Sequence, residues 1–514
     1  PREMENINRD KESRTEIVSE GKQFRNEQFY NAVLGSDFYI DSNNVLTLSG
    51  SFAYEVEAQP SQFEFTRRSN GSEEERWTRK EETSATNPKL QYELQYKREF
   101  RDDEDHKLLF SAIGNYFGKE QSSVFTHEEA EGTPDRIDQL TATAFSEGKY
   151  TFIIDYTKPF DDNWIVETGL HYLINDVDND FEVQNETSDG SFEKDPGQTN
   201  LFEYSQDVLG VYGTGSYEGE AWGLKLGLRI ENTDLNTFLV ETEEGNSQIF
   251  TNLFPTAHTS YKLSERVSFQ AGYSRRIFRP RLWDLNPFFN IRNNFNIRAG
   301  NPNLLPEFTD SYEMGAIFIL DNSSFNVNVY HRYTQDKVER VSLFSDGVTT
   351  WIPQNIGTNK ATGVELNFKY SPFRKISFNG DANYNVFVRN GSFEGQNFDF
   401  SADVWSAKVI AKYKYNKSLD LEVTTRYQSR EQTVQGLLRY NLFADFGFRY
   451  KIMNGKGVFN FSIRDIFASR IRQNTIDNQD FYSYSWSRRG RFITLGFSYG
   501  FGKGEAMYYS GRRR

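Results

Sequence analysis

The chain of 514 residues contains no cysteine, and it has no long apolar segment. Without cysteine it can form no disulfide framework, no thiol-based catalytic site and no Cys-ligated zinc or iron–sulfur site. No apolar stretch approaches the roughly 20 residues that a membrane-spanning helix needs, which excludes a helical membrane protein. The mean hydropathy of -0.71 is compatible with a membrane barrel, because the interior and the outer loops of a barrel are polar.

Positive charge and histidine are also scarce. The 59 Lys and Arg residues are outnumbered by 73 Asp and Glu residues, which gives a formal net charge of -14. A surface that binds phosphate backbones needs a basic excess, so nucleic acid is not expected as a partner. The five histidines lie far apart without metal-ligand spacing, and no Gly-x-Ser-x-Gly elbow occurs. We therefore predict no catalytic residues, no metal site and no cofactor, and no enzyme activity.

Aromatic residues and period-2 alternation are abundant. Aromatics make up 16% of the chain, and near the C-terminus apolar residues alternate with small or polar ones over residues 493–501. Helical spacing would not produce this pattern. We predict that one set of side chains faces outward, including Leu495, Phe497 and Tyr499. The alternate set is predicted to face a wet interior, including Asn379, Asp381, Asn383 and Lys412.

Short polar turns divide these alternating runs. They lie at residues 42–44, 101–105, 161–163, 219–221, 263–265, 321–323, 371–375, 416–418 and 454–457. Each stands between two strand-like runs, as a hairpin turn should. A large soluble β-protein would also alternate, but many runs here reach the nine to eleven residues or so of a tilted membrane crossing. The sequence thus predicts an all-β, transmembrane, antiparallel up-and-down β-barrel.

The turns also predict the domain organisation. Nine turns and a last run at 491–502 give about nineteen strands, with the barrel over residues 22–502. Residues 1–21 are expected to form a partial strand or loop at a truncated N-terminus, and residues 503–514 a basic tail. Because single-chain bacterial barrels have an even strand number, the odd count predicts at least one ascending strand upstream.

The central segment carries a specific resemblance. It reads SRRIFRP at 274–280, WDLNPF at 283–288, GNPNLLPE at 300–307 and SYEMG at 311–315. This resembles the signature of TonB-dependent outer-membrane receptors, in particular the outer-membrane β-barrel family typical of Bacteroidota. The resemblance implies a 22-stranded barrel with an N-terminal plug domain that is not in this chain. The first strand in view would then be strand 4.

The resemblance also implies a function and a location. The expected role is uptake of a scarce solute across the cell outer membrane, energised by the TonB–ExbB–ExbD system through the missing plug segment. Membrane lipids and lipopolysaccharide are expected partners, and a glycan importer would add a surface lipoprotein. Alternatives are a surface adhesion or assembly platform and, less favoured by the strand count, a barrel enzyme. Specificity is expected in four long loops, at 65–83, 124–139, 183–199 and 341–356.

The signature itself allows two interpretations. Its Pro- and Asn-rich part favours turns over strand pairing, so it could fix a rim loop and the strand register. Alternatively, four arginines could face the lumen and contact an anionic ligand or the plug; these are Arg275, Arg276, Arg279 and Arg281. The other signature residues are Asn286, Pro287, Phe288, Gly300, Asn301, Pro302, Asn303, Pro306, Glu307, Tyr312 and Glu313.

Overall fold

The computed structural model describes residues 2–100, 105–129, 136–161, 163–287, 295–345, 347–393 and 396–501. Almost all of these residues lie in β-strands, with one helix of four residues and one 3-10 turn. Within the described ranges, no helix has the length and apolar character needed to cross a membrane.

The elements follow one another in chain order. They are β1 Arg2–Asp10, β2 Thr15–Gln23, β3 Asn26–Tyr39, β4 Asn44–Ala58, β5 Ser61–Ser69, β6 Ser72–Glu99, β7 Lys107–Glu129, β8 Gln139–Pro159, β9 Trp164–Glu186, β10 Phe192–Lys194, β11 Asn200–Glu218, β12 Trp222–Leu239, β13 Glu244–Ser264, β14 Val267–Phe278, α1 Leu282–Leu285, β15 Asn296–Arg298, β16 Glu307–Leu320, β17 Ser323–Gln335, β18 Val338–Ser345, β19 Val348–Asn355, β20 Gly357–Phe373, β21 Ile376–Phe393, β22 Gln396–Asn397, β23 Phe400–Lys414, β24 Leu419–Gln428, β25 Glu431–Gln432, β26 Gly436–Leu438, β27 Asn441–Ile452, a 3-10 turn Met453–Gly455, β28 Gly457–Arg464, β29 Ile471–Asp477, β30 Phe481–Arg489 and β31 Phe492–Tyr499.

Nineteen of these strands form one continuous antiparallel wall. Their order is β3, β4, β6, β7, β8, β9, β11, β12, β13, β14, β16, β17, β20, β21, β23, β24, β27, β28 and β31. Each strand pairs with the next, so the predicted up-and-down topology and strand count are confirmed. In the part of the chain that the structure describes, β3 and β31 are the two ends of this wall.

The wall strands are joined at one end by the short turns that the sequence indicates. At Asp161, the carboxylate Oδ1 accepts hydrogen bonds from the backbone N–H groups of Asn163 at 2.9 Å and Trp164 at 2.8 Å. Asn416 Oδ1 does the same for Ser418 and Leu419 at 2.8 and 2.9 Å. Asx turns of this kind satisfy the backbone where the chain reverses. All nine predicted turns lie between wall strands, although residues 101–104 and 162 are outside the described ranges.

The two faces of the wall differ as predicted. Leu495 is 79% exposed and pairs with Phe461 of the neighbouring strand β28. The pairing continues from Phe461 to Phe448 and onward along the wall. Cross-strand partners share a face, so the register carries this orientation around the wall to Tyr384 and Val364. The same register places Asn379, Asp381, Asn383 and Lys412 on the opposite, inward face. Both orientation predictions are therefore confirmed.

Aromatic residues border the turn end of the outward face. Trp164 and Tyr217 are cross-strand partners with ring centroids 5.1 Å apart, and Trp222 and Tyr261 are partners at 4.5 Å. Both tryptophans are about half exposed. Rings at this level are typical of the membrane interface of a barrel, where an apolar ring body and a polar edge are both accommodated.

A second set of strands extends beyond the other end of the wall and forms an outer sheet. Starting from the outer half of β6, the antiparallel order is β5, β2, β1, β30, β29, β26 and β25. The N-terminal hairpin β1–β2 lies in its centre. Residues 1–21, expected to be a partial strand or loop, thus contribute two strands as far as they are described.

Two of the segments expected to be long loops are regular hairpins. Residues 65–83 lie largely in β5 and β6, and residues 341–356 lie largely in β18 and β19. The loop interpretation was wrong for these segments because their backbone groups pair with each other and with neighbouring strands above the wall.

Candidate ligand-binding mouth

The chain turns inward after β14 and packs against the inside of the wall. Leu285 of α1 and Leu304 are completely buried in a cluster with residues from the inner faces of β8, β9, β11 and β12. The wall contributes Phe145, Val177, Phe202, Tyr204, Leu235 and Leu239. This apolar cluster on an otherwise polar inner face anchors the segment by burial away from water.

The signature holds this segment in a compact shape. The backbone N–H of Gly300 donates to the carbonyl of Asn286 at 2.9 Å, and that of Asn301 donates to the carbonyl of Asp284 at 2.7 Å. A Cβ atom at Gly300 would lie 2.4 Å from the backbone oxygen of Asn286. Only glycine permits this approach of the two backbones.

The hairpin β18–β19 extends the inward-packed segment across the end of the wall opposite the short turns, which we call the mouth. Strand β15 adds to β19 in parallel, which gives a separate three-stranded sheet. We call residues 279–306 and 338–355, as far as they are described, the mouth lid. At the base of its two parts, Glu307 is buried and accepts a hydrogen bond from Lys337 Nζ at 3.0 Å and one from the backbone N–H of Val338 at 2.9 Å.

The mouth lid also contacts the far side of the mouth. Phe344 stacks on Phe481 of β30 with centroids 5.0 Å apart. The side chain of Gln435 accepts a hydrogen bond from the backbone N–H of Ser342 at 2.6 Å and donates one to the Ser342 carbonyl at 3.1 Å. Asn8 of β1 donates to the carbonyl of Phe295 at 2.6 Å. The lid is therefore attached at opposite sides of the barrel mouth.

The four candidate arginines do not form one site. Arg275 shares the outward face with Tyr273 and lies 3.5 Å from the Asp310 carboxylate. Arg276 has the opposite, inward orientation and is exposed. Arg279 reaches the inner wall, where its Nη2 lies 2.5 Å from the Glu231 carboxylate and 2.9 Å from Thr233 Oγ1.

Arg281 precedes α1 and is exposed, with its guanidinium 5.9 Å from the Phe278 ring centroid. Arg279 thus ties the lid to the wall, and only Arg276 combines inward orientation with exposure among these four. A direct contact of any of them with a ligand or plug stays a prediction.

The remaining signature residues stabilise the lid and the pairing of β14 with β16. Asn301 donates to the Gln354 side chain at 3.0 Å and thereby joins the two parts of the lid. The carbonyl of Pro302 accepts a hydrogen bond from Asn246 of β13 at 2.8 Å.

Pro306 is buried, Asn303 is exposed and Pro287 is partly buried, whereas Phe288 lies outside the described residues. Tyr312 packs on Tyr273 on the outward face, and Glu313 lies inward, 3.6 Å from Arg332.

Sequence reasoning did not anticipate a group of three carboxylates on the inner wall. Oxygen atoms of Glu27, Glu55 and Glu57 lie within 4.8 Å of one another. Arg25 Nη2 lies 2.6 Å from Glu57, and Lys89 Nζ lies 2.9 Å from Glu55. Because the two cations offset most of this negative charge, the group functions as an ion-pair network between β3, β4 and β6.

Sequence reasoning also missed a group of arginines at the mouth, namely Arg2, Arg298, Arg472 and Arg489. They come from strands β1, β15, β29 and β30, which are distant in sequence. No local spacing could have brought them together.

These features agree with the comparisons with known proteins. The chain belongs to the outer membrane protein beta-barrel family, whose model matches residues 98–499. It is therefore an outer-membrane protein. No curated protein sequence matches this chain.

Three solved structures show the same fold. They are the copper transporter OprC (10% identity, TM-score 0.57, 96% of this chain and 80% of that chain), the siderophore receptor PiuA from Acinetobacter baumannii (12%, 0.55, 96% and 82%) and the ferric citrate transporter FecA in the unliganded form (11%, 0.53, 96% and 78%). One of these three proteins is named as a receptor and two as transporters.

Proposed function

We propose that this chain is the barrel of an outer-membrane receptor that captures a scarce solute at its mouth and imports it with energy relayed by the TonB–ExbB–ExbD system. The observation that supports this proposal most directly is the mouth lid. A wall that serves only as an anchor for surface contacts has no need of a segment attached across its own mouth. A lid of this kind separates an outer binding surface from the polar lumen, as a gated importer requires.

The outward face would contact membrane lipids and, on its outer half, lipopolysaccharide. The barrel would comprise residues 22–502, with residues 503–514 as a basic tail. Contact with TonB would be made by a plug segment, and a surface lipoprotein would be needed only for a glycan solute.

Locking the lid tests this proposal. Because the chain has no cysteine, Ser342→Cys combined with Gln435→Cys introduces the only two thiols, at positions whose groups are hydrogen-bonded. A short reducible bismaleimide-type cross-linker would join the lid to the outer sheet. Uptake of ferric siderophores, cobalamin, glycans and peptides is then measured in a deletion strain that carries the variant.

We expect the deletion to abolish uptake of at least one solute class and the untreated double variant to restore it. Cross-linking should stop that uptake, and cleavage of the linker should return it. Each single-cysteine variant, treated with the same reagent, is the matched control. Unchanged uptake of every solute in the deletion strain would contradict transport and favour the adhesion or assembly platform.

A further inference from the structure

Three arginines lie side by side on the inner face of the outer sheet. Arg2 of β1 and Arg489 of β30 are direct cross-strand partners. Arg472 of β29 is the partner of Ser487, whose hydroxyl accepts a hydrogen bond from Arg2 Nη2 at 3.0 Å. Like charges placed directly opposite each other in a sheet reduce its stability, so this arrangement costs the fold free energy.

A fourth arginine approaches them from the mouth lid. Burial, followed by the positive charges of Arg472, Arg340 and Arg2, lowers the pKa of Arg298. Burial, followed by Arg489 and Arg472, likewise lowers the pKa of Arg2. Arg298 is carried by the lid strand β15 and Arg2 by the outer-sheet strand β1, so charges of the same sign come from both parts of the mouth.

No ion pair within the described ranges offsets this charge. Among the residues that the structure describes, none of Arg2, Arg298, Arg472 and Arg489 forms an ion pair. The arginines of the mouth that serve a structural role do form them: Arg279 lies 2.5 Å from Glu231, and Arg389 lies 2.9 Å from Glu339. The chain has a net charge of -14, so a local concentration of arginines without ion pairs favours binding of an anionic ligand.

The arginines of the outer sheet line a cavity of about 430 Å³. Arg439 and Arg470 add two further guanidinium groups, and Ser429, Asn441 and Gln473 add neutral polar groups. Among the described residues of the lining, the one acidic side chain is Glu431, which lies 3.9 Å from Arg389. Arginine presents a planar fork of donors that matches carboxylate and phosphate oxygens in pairs. The volume is within the range that holds a small molecule.

We infer that this cavity binds a small multivalent oxyanion, a molecule with two or more carboxylate or phosphate groups, as the part of the imported solute that the receptor recognises. The inference rests on the proposed receptor function. The bound anion supplies the missing negative charge, so binding relieves the repulsion between Arg2 and Arg489.

Calorimetry on the complete chain purified in detergent tests the site. The probes are citrate for carboxylates and pyrophosphate for phosphates, at low ionic strength, with glucose as an uncharged comparison. We expect one of the two anions to bind at one per chain and to bind more weakly as salt is added. Arg472→Gln combined with Arg489→Gln should weaken binding by at least about tenfold, the effect of losing charge-assisted hydrogen bonds.

Arg488→Gln is the matched control, because Arg488 neighbours Arg489 on the same strand but faces outward, beside Glu3. It should bind the anion as the parent chain does. Arg489→Gln should also raise the thermal midpoint of the unliganded chain, since it removes the like-charge pair, and a merely structural arginine would lower it. Failure of both anions to bind, or equal weakening by Arg488→Gln, would overturn the inference.

The two proposals can fail separately. Binding in detergent needs no energy source, so an anion that binds while the deletion strain takes up every solute unchanged would overturn the transport proposal and keep the site. Uptake that depends on the lid while neither anion binds would overturn the site and keep transport.

Discussion

At the scale of single residues, the shape of the mouth lid depends on one glycine. Gly300→Ala places a Cβ atom 2.4 Å from the backbone oxygen of Asn286, so the backbone at residue 300 and the backbone at Asn286 must move apart. We expect a local destabilisation of about 1–3 kcal/mol, as for other overpacked sites, with faster tryptic cleavage at the exposed Arg281.

Gly215→Ala is the matched control, because a Cβ there meets nothing within 4 Å. Both variants should retain the heat-modifiable migration of a folded barrel. Equal cleavage rates in the two variants would contradict the role assigned to Gly300.

A second residue-scale prediction concerns His127 in the outer part of β7. Its Nδ1 lies 3.2 Å from Asp138 Oδ1 and its Nε2 lies 2.9 Å from Arg79 Nη1. The neutral ring, which donates to Asp138 and accepts from Arg79, fits both partners. Burial, followed by the charge of Arg79, lowers the pKa of His127, whereas Asp138 opposes the shift and Arg136 adds to it.

The pH dependence follows from that direction. As the pH falls below the ordinary histidine pKa of about 6.5, the unfolded segment takes up a proton that the folded one does not. The stability that neutral His127 contributes is therefore lost on acidification. Amide protection factors at the outer ends of β7 and β8, which are exchange rates corrected for the intrinsic pH dependence of amide exchange, should fall between pH 7 and 5, and His127→Gln should flatten this response. A variant with the same pH response as the parent would contradict the assignment.

At the scale of a strand, the orientation of β31 determines where charge is tolerated. Leu495 faces outward and Thr494 faces inward, where it is paired with Ser462. Leu495→Lys should destabilise the barrel by about 2–4 kcal/mol if it lies near the bilayer centre, and less toward the interface. Thr494→Lys, the neighbouring control, places its charge in the wet lumen and should change stability little.

Urea titration of each variant folded into lipid vesicles measures this difference. The reverse order, with Thr494→Lys the more destabilised, would contradict the assignment of the two faces.

At the scale of the whole molecule, the wall and the mouth lid should differ in stability. The wall strands are long and continuously paired, whereas the backbone of the lid pairs only within a short three-stranded sheet. The lid is otherwise held by side-chain contacts, namely two apolar clusters, the Phe344–Phe481 stack and a few hydrogen bonds and ion pairs. Regions with low local contact density open locally at lower free energy. We expect lid peptides to exchange amide hydrogens well before peptides from the wall.

Leu304→Ala tests this division. Removing a fully buried leucine costs about 2–5 kcal/mol, and the loss should appear as faster exchange in the lid with no change in the wall. Leu305→Ala is the neighbouring control, because Leu305 is 48% exposed. Exchange that accelerates equally in wall and lid would indicate one cooperative unit instead.

The sequence by itself determined the wall. Alternation in residues 493–501 and the polar turns at 161–163 or 416–418 are local patterns, and each wall strand pairs with the next along the chain. Local information therefore predicted the topology, the nineteen strands, and the inward orientation of Asn379 and Lys412. The same segment that carries the family resemblance was correctly expected to favour turns over strand pairing.

Only the tertiary structure decided what fills the mouth. Leu285 shares an apolar cluster with Val177, Phe344 stacks on Phe481, and Arg2 pairs across strands with Arg489. The two residues of each pair are a hundred or more positions apart in the sequence. No period in the sequence encodes such contacts, because burial of the lid and the crowding of guanidinium groups depend on how distant strands close around one space. The physical reason is that pairing between neighbouring strands is specified locally, whereas packing across the lumen depends on how the whole curved sheet brings distant strands together.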